Sequence, residues 1–284
     1  MDLKKLVSSG VAPILSLFVC VFSSAVFAGE WREIFNGKNL EGWDTYIGPL
    51  YDTEKKDFAG PPIGLNKDPQ NVFSVVQEDG EGLLRISGEQ WGGISTQEEF
   101  SNYQLQLQFK WGESKFAPRD KDKRDSGLLY HATGEHGKDW HFWMRSLEMQ
   151  IQEGDCGDYW GLAGVGVNIR ATKNAAGDYH YNPTAKALAF SQQGELGRHV
   201  KKISNGNSEK PNGEWNTIDL YVFGDSSIHV VNGVVKLATS NAHIPNDHKI
   251  TPLTKGKIQI QSEGAELYYK NIRIKKISEL PKNL

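Results

Sequence analysis

Tyr103-Gln-Leu105-Gln-Leu107-Gln-Phe109-Lys-Trp111 places an apolar residue at every odd position and a polar one at every even position. Successive side chains of an extended chain point to opposite faces, so this stretch reads as an antiparallel strand with one face in a core and the other in water. The same alternation returns in Leu147-Glu-Met149-Gln-Ile151-Gln152, in Ile218-Asp-Leu220-Tyr-Val222 and in Ile228-His-Val230. It returns again in Lys257-Ile-Gln-Ile-Gln261 and in Leu267-Tyr-Tyr-Lys-Asn-Ile-Arg-Ile274. Gly224-Asp225-Ser226 reads as a hairpin loop. Asn232-Gly233, between Val230-Val231 and Val234-Val235, is the strongest short hairpin signal in the chain, because both residues tolerate the positive φ of a tight turn. No segment of comparable length has a helical period. The expectation is an all-β chain, a jelly-roll β-sandwich of two antiparallel sheets with few short helices.

The 284 residues are 38% apolar and 24% charged, with 30 glycines, which fits a globular chain and excludes disorder, collagen and a polytopic membrane protein. Formal charge is 32 − 35 = −3, so there is no excess of cations for a phosphate backbone, and nucleic acid is not an expected partner. Lys4 and Lys5 precede an apolar run from Val11 to Phe27 that closes on Ala25-Val-Phe-Ala28. This reads as a secretory leader cut after Ala28, giving a mature protein free of membrane, in the periplasm or outside the cell. Residues 29–284 then form one domain. Cleavage removes Cys20 and leaves Cys156 with no disulfide partner, so Cys156 is expected to be a small packed residue.

On the strand Leu147–Gln152 the odd side chains enter the core, so Glu148, Gln150 and Gln152 share the opposite face. They lead into Glu153-Gly-Asp155-Cys-Gly-Asp158-Tyr-Trp160, a turn able to hold Asp155 or Asp158 over that face. Trp140, His141, Phe142, Trp143 and Arg145 precede it, and the chain has eight tryptophans. Flat aromatic faces beside carboxylates, amides and arginine suit a sugar, whose rings have apolar faces and hydroxyl rims. Two loop-rich stretches, Gly112 to Asp125 and Ala163 to Trp215, are placed where a rigid sandwich carries its binding loops. His131, His136 and His141 lack metal-ligand spacing. Calcium or another divalent cation held by Asp155 and Asp158 is left open, and the metal is unknown.

Several ordered motifs resemble those of the DUF1080, or 3-keto-disaccharide hydrolase, family. They are Glu33-Ile-Phe35-Asn-Gly-Lys-Asn-Leu-Glu-Gly-Trp43, Ile94-Ser-Thr-Gln-Glu-Glu-Phe100 through Phe109, Asp125-Ser-Gly-Leu128, Leu147-Glu-Met-Gln-Ile151, Gly256-Lys-Ile-Gln-Ile-Gln261 and Lys270-Asn-Ile-Arg-Ile274. The resemblance runs nearly the full mature length and implies a concanavalin A-like sandwich. Asp125 stands where the family often has Asn, His131 where many members have Arg, and Glu263 where a His often follows the Gln.

Glucanases on that fold use Glu-x-Asp-x-Glu on one strand, whereas this chain has Glu148-x-Gln150-x-Gln152, with amides in place of two acids. The chemistry the resemblance implies needs less. A ketone at C3 acidifies the C2 proton, so one base removes it, the glycosidic oxygen leaves by β-elimination, and water adds. Glu148 or Asp155 is then expected as base, and His131 or His141 as acid. Arg145 or Arg124 with Gln150 would stabilise the enolate. Gln152, Trp140, Trp143, Trp160 and Gln261 are expected to hold substrate. A non-catalytic carbohydrate-binding module and a glucanase-like hydrolase are the alternatives.

Overall fold

The computed structural model describes residues 29–246 and 249–282, so the leader expected at residues 1–28 lies outside the described residues. Tyr103–Lys115 does form a strand, and its odd residues Leu105, Leu107 and Phe109 are fully buried. It lies in the middle of a 12-stranded antiparallel sheet, between Asn216–Phe223 and Ala265–Lys276. The facing eight-stranded sheet is ordered His199–Val200, Tyr159–Leu162, Arg145–Gln152, Asp125–Thr133, Lys257–Ser262, Gly92–Thr96, Trp43–Ile47, Gly64–Leu65. Leu147, Met149 and Ile151 on this second sheet enter one apolar cluster with Leu105, Leu107 and Phe109, the core of a β-sandwich of the jelly-roll type. Truncating a side chain as enclosed as Phe109 to alanine would cost about 3–5 kcal/mol.

Both hairpins form as read. Gly224 has φ 57°, and Asn232 and Gly233 have φ 48° and 78°, so the second turn joins Ser226–Val231 to Val234–Asn246 in two residues. No helix occurs among the described residues, including the loops where short ones were expected. The stretch from Ala163 to Trp215 is also more ordered than its composition suggested. It contains the strands Gly166–Lys173, Tyr179–Tyr181, Ala187–Ser191 and His199–Val200, which are short or half-exposed and so lack a long apolar alternation.

One polar network crosses the core. Tyr130 Oη lies 2.7 Å from Ser227 Oγ and 3.0 Å from His229 Nε2, Ser227 Oγ lies 2.8 Å from Thr239 Oγ1, and His229 Nδ1 reaches the Gly157 carbonyl at 3.1 Å. The turn that follows Arg145–Gln152 is thereby tied to the opposite sheet. The same turn is clamped from outside by Glu209, whose carboxylate accepts from the Gly154 and Cys156 amides at 2.8 and 3.1 Å. Cys156 is buried, with Sγ against the Gln152 carbonyl, and burial pushes its thiol up, so it is the inert packed residue expected.

Candidate active site

Cross-strand register builds the outer face of the eight-stranded sheet row by row. Glu148 pairs with Trp160 on one side and Leu129 on the other, Trp160 pairs with His199, and Leu129 pairs with Gln259. In the next row Gln150 pairs with Gly127, which faces Gln261, and Gln261 pairs with Gly93. The third row sets Gln152 against Asp125, with Glu263 just beyond the end of the neighbouring strand. These rows are the floor of a cleft of about 440 Å³. Trp143, Trp160 and Leu162 line its side and belong to a second apolar cluster that continues behind them through Trp91, Leu129, Phe142 and Phe58.

Gly127 opens a notch in that floor. A Cβ there would lie 2.0 Å from Glu148 Oε1 and 2.4 Å from Gln261 Oε1, so both side chains occupy the space above a residue that has none. Glu148 is buried and makes no hydrogen bond with another described side chain. Burial, reinforced by the charges of Glu263, Asp125 and Asp139 and opposed by Arg198, raises its carboxyl well above the usual range. Asp125 and Glu263 share one arginine: Arg119 Nη2 is 2.6 Å from Asp125 Oδ2, and Nη1 is 2.7 Å from Glu263 Oε1. Gln152 Nε2 also donates to Asp125 Oδ2. Burial lifts the Glu263 carboxyl to about 7 against the pull of Arg119, and burial together with Glu263 raises Asp125. The two positions that depart from the family motifs toward carboxylates therefore meet in space.

The cleft rim is aromatic and cationic. Arg198 donates from Nη1 to buried Asp139 at 3.0 Å, and its guanidinium carbon lies 4.9 Å from the Trp140 ring and 5.6 Å from the Trp160 ring. Asp139 also accepts the Ala163 amide at 2.7 Å, which fixes the arginine's anchor. His199 stacks on Trp160 with 4.1 Å between ring centroids and places Nε2 3.1 Å from Asp158 Oδ2. Trp140 is 56% exposed at this rim.

Of the residues expected from sequence, the cleft brings together Glu148, Gln150, Gln152, Asp155, Trp140, Trp143, Trp160 and Gln261. It does not bring His131, His141, Arg145 or Arg124. Strand alternation would set His131 beside Asp125, Gly127 and Leu129, but a bulge after Tyr130, with His131 at φ 51°, turns the ring away. His131 Nε2 instead meets the Gly224 carbonyl at 3.2 Å on the hairpin of the other sheet. Arg145 Nε donates to the Ala163 carbonyl at 2.9 Å, and Arg124 pairs with Glu153 at 2.7 Å, both holding loops. His141, at φ 72°, sits on an exposed turn. Asp155 reaches the cleft but is engaged by Lys123 Nζ at 2.6 Å.

The loop carboxylates named for a cation have protein partners in this structure. Lys123 occupies Asp155, while His199 and the Lys202 amide occupy the two oxygens of Asp158, and no cluster among the described residues has the donors for a metal. Arg119, Arg198, His199, Asp139 and Glu263 are cleft residues that sequence reasoning missed as functional. All but Glu263 lie in or beside the two loop-rich stretches or the aromatic segment, which was the available signal.

A family profile described as a 3-keto-alpha-glucoside-1,2-lyase-like domain matches residues 30–275. Among curated proteins the chain is similar to a glucan endo-1,3-beta-glucosidase of Cryptopygus antarcticus, with 25% identity over 148 residues. That match covers 50% of each chain, so it spans about half the length of the curated relative. Among solved structures the chain is similar to a protein of Parabacteroides distasonis provisionally described as a glycosyl hydrolase, with 21% identity, a TM-score of 0.46, and coverage of 87% of this chain and 100% of that one. It is similar also to the beta-glucanase of Bacillus licheniformis, with 11% identity, a TM-score of 0.41, and coverage of 89% and 99%.

Proposed function

This chain belongs to the 3-keto-alpha-glucoside-1,2-lyase-like family, a carbohydrate-active family, and from that premise we propose that it cleaves 3-keto-glycosides by elimination across C1 and C2 followed by hydration. The observation that carries the reading is the buried set Glu148, Asp125 and Glu263 on the floor of a tryptophan-walled cleft. Carboxyls that titrate apart supply an acid and a base together at one pH.

Glu263, titrating near 7, takes the C2 proton, which the C3 ketone has acidified. The electron pair forms the C1–C2 double bond as the C1–oxygen bond breaks, and Glu148, kept protonated by burial, gives its proton to the leaving oxygen. Arg198, anchored on Asp139, faces the negative charge that develops on the ketone oxygen. Water then adds its hydroxyl to C1 and its proton to Glu148, while Glu263 returns a proton to C2. Both residues end as they began. This assignment exchanges the base expected of Glu148 for an acid, because its burial favours the neutral form.

The test is incubation of the purified protein with a 3-keto-glucoside and with its unoxidised parent, each with and without EDTA. Release of the aglycone from the keto compound alone is the expected result, and the EDTA arm decides whether a divalent cation takes part. Binding without cleavage of either sugar would make the cleft a carbohydrate-binding module instead. Export belongs to the same proposal and rests on residues 1–28: sequencing of the exported protein is expected to begin at Gly29.

A further inference from the structure

The Gln150–Gly127–Gln261 row carries an imbalance that the elimination chemistry does not use. Gln150 Oε1, Gln261 Oε1 and Asp125 Oδ1 are buried acceptors with no donor on the protein, although all three residues are more than nine-tenths buried and line the cleft. Buried polar atoms in folded proteins are nearly always paired, and leaving one unpaired costs about 1–3 kcal/mol. Three on one face of one cleft mark the imprint of a ligand that donates hydrogen bonds. The lack of a side chain at Gly127 lets Gln261 Oε1 stand beside Glu148 Oε1 over the floor, within reach of the same bound ring.

We infer that Gln150 and Gln261 are specificity residues that accept hydrogen bonds from hydroxyl groups of the oxidised sugar ring, so that the site selects a sugar with those hydroxyls free. The inference rests on the proposed function for the identity of the ring. The ketone oxygen is an acceptor and belongs against Arg198, whereas the remaining ring hydroxyls are donors and belong against the glutamine row.

The experiment compares a 3-keto-glucoside with its 4-deoxy and 6-deoxy analogues on the wild type, Gln150→Met and Gln261→Met, with thermal melts to show that each variant is folded. Methionine keeps the length of glutamine and removes the acceptor. On the wild type, loss of a read hydroxyl is expected to lower kcat/KM about 10- to 100-fold, and that discrimination is expected to collapse in the variant lacking its acceptor. Equal rates for parent and deoxy sugars on the wild type, or discrimination unchanged in both variants, would overturn the inference. Calorimetry with the unoxidised glucoside and its deoxy analogues separates the two readings. Discrimination in binding, collapsing in the variants but without cleavage of any keto sugar, would remove the proposed reaction and keep the glutamine row. A wild type that binds no sugar would remove both.

Discussion

Glu148 Oε1 stands where the side chain of residue 127 would begin: a Cβ on Gly127 would lie 2.0 Å from that oxygen. The carboxyl reaches this position only because the neighbouring strand carries glycine at that level. Gly127 has no positive φ, so its role is space rather than backbone freedom.

Gly127→Ala is therefore expected to fold, since the atom it meets is the far end of a flexible side chain, and to lose activity by about 100-fold or more through displacement of Glu148. Turnover and a thermal melt measured on the same preparation check this. Wild-type turnover would show that the notch is idle.

The pH profile tests Glu263. If its carboxylate is the base, kcat rises as pH passes through about 7, where the residue ionises. Glu263→Gln is expected to lose that rising limb together with about 100-fold or more in rate. Stability moves the other way. The folded state holds this proton from its ordinary 4.5 up to about 7, so wild-type stability declines as pH rises across that window, and the variant is expected to lack this part of the decline.

Arg198→Lys keeps a positive charge beside Asp139 but removes the flat guanidinium that lies against Trp140 and Trp160. Stabilisation of developing charge appears in the rate, so kcat is expected to fall about 100- to 1,000-fold with a smaller change in KM. A loss confined to KM would make Arg198 a binding group only.

His131→Asn separates structure from catalysis. Asparagine tolerates φ 51° and can donate to the Gly224 carbonyl, so near wild-type turnover is expected. Burial holds the imidazole down at about 4 from 6.5, so the folded state binds fewer protons than the unfolded chain between those values. This contribution is complete above pH 6.5 and is lost as pH falls toward 4. Urea titrations at pH 7 and pH 5 are expected to show a smaller acid loss in the variant than in the wild type.

Alternation alone settled which side chains of Arg145–Gln152 enter the core, because a strand has only two faces and Leu147, Met149 and Ile151 claim one of them. That left Glu148, Gln150 and Gln152 on the other face, and the cleft is there. The Asn232-Gly233 turn was equally legible, because its geometry depends on two adjacent residues. Tertiary structure alone decided which charged groups surround Glu148. Arg119 meets Glu263 across 144 positions of sequence, and Arg198 meets Asp139 across 59, distances over which local pattern carries no information about contact. His131 shows the same limit within one strand: a one-residue bulge reverses the face that period-2 reading assigns, and the bulge is set by pairing with neighbouring strands. Side-chain direction along an unbroken strand was thus written locally, whereas the electrostatics on which the proposed acid and base roles of Glu148 and Glu263 rest arise from burial and from charges that only the closed sandwich brings together.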